Sequence, residues 1–166
     1  PPPRQPPAPF AEIGRLPRRE RPQTRGPRRH GRPRPGGAAS PGRAAVILVD
    51  TNVWIDHLHA REAALVSLLE QDEAAVHDLV LTELALGSIA NRREFLDALG
   101  GLHRLPCIAD GDVRWMVEKR RLWGKGLSAV DVHLLASVLA EAGSLVWTRD
   151  KRLMAAAREL DVLFAE

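Results

Sequence analysis

From residue 44 onward the sequence predicts an α/β fold in which helices cover both faces of a parallel sheet. Short apolar runs of strand length alternate there with longer stretches of helical periodicity. The first run, residues 46–49, contains no polar residue, as expected of a strand that is buried on both faces. Because parallel connections are right-handed, the strands end at one edge of the sheet, where such folds place their sites.

The elements follow in order along the chain. Strands are predicted at 46–50, 74–77, 103–105, 145–148 and 162–164. Helices are predicted between them, at 52–58, 62–71, 79–88, 91–99, 110–123, 129–142 and 151–160. Leu134, Leu135 and Val138 give helix 129–142 an apolar stripe, which predicts that this helix packs on the sheet.

Residues 1–43 differ in composition from the rest of the chain. They hold 12 of the 13 prolines and 11 arginines against two glutamates, a net charge of +9. The whole chain carries +3, so residues 44–166 carry −6. We expect residues 1–43 to be a disordered Pro/Arg-rich extension that either binds nucleic acid electrostatically or is not native, and residues 44–166 to form the folded domain.

Several classes of protein are disfavoured by the sequence. No long apolar run or signal-peptide core is present, which predicts a cytoplasmic protein with no membrane contact. The single cysteine, Cys107, excludes an internal disulfide. No glycine-rich phosphate-binding loop follows the first predicted strand, which argues against a nucleotide-binding module.

Four acidic residues stand among apolar neighbours, and each also has a structural interpretation. Asp50 and Asp150 follow predicted strands and could cap the next helix. Asp131 lies three residues after Ser128, the spacing of a capping box. Glu83 lies in the middle of an apolar segment with no cap to make, so its structural alternative is a buried partner such as an arginine.

Considered together, the four acids predict a cation site. Asp50, Asp131 and Asp150 can lie at one edge of the sheet, and clustered carboxylates must take up protons or bind cations. Hard oxygen ligands suit Mg²⁺ or Mn²⁺, which predicts phosphoryl chemistry with metal-activated attack of water on phosphate. Neighbouring polar residues are expected to support the carboxylates or to position the substrate: Thr51, Asn52, Thr148 and Arg149. For Arg149, an ordinary surface position is favoured over contact with the substrate backbone.

Four stretches carry a resemblance to a known family. They are "VILVDTNVWIDHL", "LVLTELALGS", "GLSAVDVHLLASVLA" and "LVWTRDKRLMAAARELDV", in this order along the chain. In these the chain resembles the PIN-domain ribonucleases, and most closely the VapC-type toxins of type II toxin–antitoxin systems. The resemblance implies an α/β/α sandwich with a parallel sheet of four or five strands, and Mg²⁺- or Mn²⁺-dependent endonucleolytic cleavage of RNA such as tRNA or rRNA.

The resemblance also assigns roles to residues. It matches Asp50, Glu83, Asp131 and Asp150 to the family's acidic positions, and Thr51, Asn52 and Thr148 to their polar companions. We expect Asp50, Asp131 and Asp150 to bind metal directly, and Glu83 to bind it directly or through water or to orient the attacking water.

The implied partners are an RNA substrate, a second copy of the chain in a homodimer, and a cognate antitoxin that blocks the site. Promoter DNA is expected only through that antitoxin. Two alternatives remain, an RNA-processing PIN nuclease that is not a toxin and a catalytically inactive PIN binding module. RNA contacts are predicted at Lys119, Arg120, Arg121 and Lys125, unless these residues form a solvated helix face. Core packing is favoured for all four tryptophans, although Trp115 and Trp123 could instead stack on a base or receive an antitoxin side chain.

Overall fold

The computed structural model describes residues 45–165 of the chain, so the prediction for residues 1–43 lies outside the described residues. Within that range the strands are β1 (Val46–Val49), β2 (Ala74–Val76), β3 (His103–Arg104) and β4 (Ser144–Trp147). The helices are α1 (Thr51–His59), α2 (Ala63–Glu70), α3 (Asp78–Leu86), α4 (Arg92–Leu99), α5 (Asp110–Lys119), α6 (Ala129–Ala140) and α7 (Lys151–Glu159).

The four strands form one parallel sheet in the order β3-β2-β1-β4, which confirms the predicted parallel α/β fold. The segment predicted as a fifth strand, 162–164, makes only an isolated parallel bridge between Leu163 and Val146. Val146 donates to the carbonyl of Val162 and accepts from the amide of Phe164, and the pairing extends no further along β4.

The strand order reverses direction beside β1. The chain runs outward from β1 to β2 and β3, then returns to place β4 on the other side of β1. Because the crossovers are right-handed, helices of the two halves cover opposite faces of the sheet. The carboxyl ends of β1 and β4 therefore flank the point at which ligands bind in open α/β sheets.

Core packing and a hydrogen bond of Trp54 fix the position of helix α1 relative to the end of β1. Trp54 is fully buried, and its indole N–H donates to the carbonyl of Val49 at 3.1 Å. The Trp54 ring meets Phe95 of α4 edge-on, with ring centroids 6.2 Å apart. A buried indole needs such a polar partner, so this hydrogen bond sets how α1 leaves the strand.

Helix α5 is shorter than predicted, and this changes the surroundings of two tryptophans. It ends at Lys119 instead of residue 123, and Arg121 has a left-handed backbone with φ 53°. Val113 and Met116 form its buried face, which leaves Trp115 64% exposed, while Trp123 in the following loop is 62% exposed. The prediction of core packing is correct for Trp54 and Trp147 and wrong for Trp115 and Trp123.

Across residues 45–165, no helix combines the length and the apolar character needed to span a membrane.

Candidate active site

Asp50 forms the junction between β1 and α1. Its backbone is extended, with φ −73° and ψ 158°, and its Oδ1 accepts from the amide of Thr51 at 2.7 Å. Its own amide donates to the carbonyl of Trp147 at 2.9 Å, which joins the junction to β4. The residue is 6% exposed, so this helix cap is also a buried carboxylate.

A polar network holds the second oxygen of Asp50. Oδ2 accepts from the hydroxyl of Thr148 at 2.7 Å and from the amide of Asn52 at 2.6 Å. The Thr148 hydroxyl accepts in turn from the backbone amide of Asp150 at 3.0 Å, and Asn52 Oδ1 accepts from the amide of Arg149 at 3.0 Å. Thr148 and Asn52 therefore tie the end of β4 to the end of β1.

The surroundings of Asp50 raise the pKa of its carboxyl above its usual value. Burial raises the pKa of its carboxyl, although hydrogen bonds from Thr148 and Thr51 act in the opposite direction. The negative charges of Asp131 and Glu83 raise it further. The site therefore concentrates negative charge around a carboxylate that has lost most of its water.

Glu83 reaches the site from the middle of α3. It is half-buried, and its Oε2 accepts from the hydroxyl of Thr51, which connects α3 to the start of α1. The sequence suggested an arginine as the structural partner, but the partner is this threonine. A neutral hydroxyl leaves the negative charge of Glu83 in place.

Asp131 and Asp150 take part in the caps of helices α6 and α7. Asp131 Oδ2 accepts from the amide of Ser128, whose hydroxyl accepts from the amide of Asp131, so a complete capping box begins α6. Asp150 Oδ1 accepts from the amides of Arg152 and Leu153 at the start of α7. The capping interpretation is confirmed for both acids, and it does not exclude a functional role, because each cap engages one oxygen of its carboxylate.

All four acids line one cleft of about 370 Å³ at this edge of the sheet. The other lining residues come from α1, from the loop before α6 and from the starts of α6 and α7: Thr51, Asn52, Ile55, Gly126, Ser128, Val130 and Arg152. The structure thus brings together the acidic quartet, Thr51 and Asn52, with Thr148 buried behind Asp50.

The cationic side chains that the sequence suggested for substrate or RNA contact are not among the lining residues of this cleft. The Arg149 guanidinium pairs with Asp56 and Glu62, and Lys125 pairs with Glu159 of α7. Lys119 lies over the ring of Trp115, 5.6 Å from its centroid, and Arg120 and Arg121 are exposed at the end of α5.

Sequence reasoning missed Arg152, the cation that does line the cleft. Its position two residues after Asp150, in the first turn of a helix, was a usable signal. A side chain in that turn lies beside the capping carboxylate and therefore beside the strand end.

Comparison with known proteins shows the family of this chain. The PIN domain family matches residues 47–159. The chain belongs to this family. Ribonuclease VapC32 of two Mycobacterium tuberculosis strains is 54% identical over 121 residues, which are 73% of this chain and 98% of the relative. These matches confirm the predicted similarity to VapC-type PIN ribonucleases.

The solved structures that the chain is similar to include the crystal structure of PAE2754 from Pyrobaculum aerophilum, with a TM-score of 0.46 and 20% identity, covering 68% of this chain and 84% of that one.

The donor chemistry of the cleft fits a divalent cation. Within residues 45–165, no three His, Cys, Asp or Glu side chains stand close enough to hold a metal ion on their own. Mg²⁺ is typically bound by one or two carboxylates and completes its shell with water and substrate phosphate. Four carboxylates spaced around an open cleft are a donor set of that kind.

Proposed function

We propose that this PIN domain is a Mg²⁺- or Mn²⁺-dependent endoribonuclease that acts in the cytoplasm as the toxin of a type II toxin–antitoxin pair. The observation that carries the proposal is the convergence of four carboxylates, from four separate parts of the chain, on one cleft at the reversal of strand order. The 54% identity to a protein named Ribonuclease VapC32, over 98% of its length, supports RNA as the substrate.

The residues of the chain have separable tasks in this proposal. Asp50, Asp131 and Asp150 would bind one or two cations together with water and substrate phosphate, since no three acidic side chains among the described residues stand close enough to hold an ion alone. When bound, the cation would activate water and neutralise charge on the phosphate. Thr148 and Asn52 fix the Asp50 carboxylate through its Oδ2. Thr51 orients Glu83, which binds the cation directly or through water or positions the attacking water.

The partners are part of the same proposal. A VapC-type toxin implies a cognate antitoxin whose segment covers the cleft, and we propose such a partner here. We also propose a homodimer, and contact with promoter DNA only through the antitoxin. Two-component purification with the product of an adjacent short gene, followed by light scattering, tests both assemblies.

Cleavage of RNA by the full-length chain tests the activity. Total bacterial RNA containing tRNA and rRNA is incubated with wild type in Mg²⁺, in Mn²⁺ and in EDTA, beside Asp131→Asn. Asparagine keeps an oxygen for the cap of α6, so the variant should fold while losing the charge. We expect discrete fragments that require the cation and disappear in the variant.

A binding measurement distinguishes the remaining outcomes. Mn²⁺ should raise the unfolding midpoint of wild type more than that of Asp131→Asn, because only binding to the folded state stabilises it. Fragments that persist in EDTA would refute the metal dependence. Absence of both cleavage and Mn²⁺ stabilisation would instead support a catalytically inactive PIN module.

A further inference from the structure

Among residues 45–165, Arg152 is the one cationic side chain that lines the acidic cleft. It lies in the first turn of α7, and its Nη1 donates to the carbonyl of Gly126 at 3.2 Å. Among the described residues, no carboxylate lies within ion-pair distance of its guanidinium. Lys125 and Arg149, by contrast, are neutralised by acidic partners.

Gly126 packs against the side chain of Arg152. Its backbone is left-handed, with φ 73°, and a Cβ at this position would lie 3.1 Å from Cδ and Nε of Arg152 and 3.2 Å from Cζ. The arginine therefore packs directly against the glycine, and a Cβ there would push its side chain by a few tenths of an ångström. Gly124 has nearly the same φ, 74°, but a Cβ there would meet nothing within 4 Å.

The contact with Gly126 leaves most of the N–H donors of the Arg152 guanidinium for a ligand. Arginine has five N–H donors in a planar fork, and the carbonyl of Gly126 engages only Nη1. That fork matches a phosphodiester, which can accept two parallel hydrogen bonds. A polyanion that approaches four carboxylates also meets repulsion, and a fixed cation at the cleft wall offsets part of it.

We propose that Arg152, held in place by Gly126, binds a backbone phosphate of the RNA strand beside the bond to be cleaved. This inference rests on the proposed ribonuclease function and adds to it a substrate-binding residue and a positioning glycine. Arg152 acts on the substrate directly, and Gly126 acts only through Arg152.

The salt dependence of RNA binding tests Arg152. Full-length protein carrying Asp131→Asn, so that RNA stays intact, is titrated with a random-sequence RNA 12-mer in Mg²⁺ at several salt concentrations. Adding Arg152→Gln should weaken binding about tenfold or more and lower the slope of log K against log salt by about 0.7. The 11 arginines of residues 1–43 are common to every variant and cancel in the comparison.

Lys151→Gln is the matched control, because it removes the same charge one position away, on an exposed residue outside the cleft lining. It should change both quantities far less. Arg152→Lys should keep the slope but lose part of the affinity, since it keeps the charge and loses the fork. Equal salt-dependence slopes for Arg152→Gln and Lys151→Gln overturn the proposal. If Arg152→Gln does not fold, Arg152→Lys decides instead: RNA affinity equal to that of the protein without this change overturns the proposal.

A double-mutant cycle tests Gly126. Gly126→Ala and Gly124→Ala impose similar backbone strain, so their difference in kcat/KM isolates the displacement of Arg152. We expect Gly126→Ala to lower kcat/KM about tenfold more than Gly124→Ala, mainly through KM, and this excess to vanish in the Arg152→Gln background. An excess that persists without the arginine overturns the positioning role.

The inference and the proposed function fail separately. The binding slopes need no cleavage, so an inactive wild type refutes the nuclease while the slopes still decide whether Arg152 binds phosphate. An active wild type with unchanged slopes refutes only the role of Arg152.

Discussion

The β1–α1 and β4–α7 junctions share one local design but differ in their surroundings. In each, an aspartate that follows a strand caps the next helix and lines the cleft, but Asp50 comes directly after β1 whereas Asp150 lies three residues beyond the end of β4. Asp50 is 6% exposed and accepts from one backbone amide and two side chains, whereas Asp150 is exposed and accepts from two amides of its own helix. The two aspartates differ in position, because Asp50 directly follows the central strand β1, whereas Asp150 lies beyond the end of β4, whose outer side is paired only through the bridge at Val146.

This comparison indicates that a strand–Asp–helix pattern fixes the position of a carboxylate but not its energetics. At the edge, water solvates the charge. In the centre, the protein must supply every hydrogen bond, and the pKa of Asp50 rises because burial removes its water.

The largest difference is expected in RNA cleavage. Asp50→Asn should reduce activity about 100-fold or more, and Asp150→Asn about tenfold, because Asp50 is the acid fixed by the Thr148 and Asn52 network. Asparagine keeps a capping oxygen in both variants, and circular dichroism checks that both fold. Equal losses would show that exposure does not separate the two roles.

Stability should separate the junctions when the side chain is truncated. Asp50→Ala should cost about 2 kcal/mol, because it removes a cap and takes away the acceptor of the buried Thr148 hydroxyl and of the half-buried Asn52 amide. Asp150→Ala should cost about 1 kcal/mol, the usual value for a lost cap. Urea unfolding at neutral pH measures both, and a larger loss for Asp150→Ala would contradict the comparison.

A smaller effect is expected in the pH dependence at Asp50. Because the pKa of its carboxyl is raised in the fold, the folded state takes up a proton more readily than the unfolded state, and ionised Asp50 lowers stability as pH rises through that pKa. Asp50→Asn should therefore become more stable relative to wild type between pH 4 and 7. Urea titrations without divalent cations measure this difference. A constant difference in stability between Asp50→Asn and wild type across this range would refute a raised pKa of Asp50.

The smallest effect concerns a third helix start, where a histidine caps α3. His77 is fully buried and its Nδ1 accepts from the amide of Leu79. Burial lowers its pKa, aided by His133 and opposed by Asp78, so the folded state binds a proton less readily and stability falls as pH drops below about 6.5. His77→Asn, which keeps a capping oxygen, should lose less stability than wild type between pH 7.5 and 5, as measured by urea unfolding. Identical losses of stability in His77→Asn and wild type would contradict a lowered pKa of His77.

Local pattern explains most of what could be predicted. The strand at 46–49, the helix starts at Asp50, Asp131 and Asp150, and the acidic quartet follow from apolar runs and capping chemistry, which act over a few residues. The end of α5 and the exposure of Trp115 were missed, because helix ends and packing partners depend on neighbours distant in sequence.

The sequence by itself determined the parallel α/β fold, the family and the identity of the acids, since each is written in spacing and residue type. Only the tertiary structure decided that Thr51 is the partner of Glu83, that Arg149 and Lys125 are neutralised, and that Arg152 is the cation seated at the cleft against Gly126. The physical reason is that burial and pairing are properties of neighbours in space. The sheet order, not the chain order, sets those neighbours.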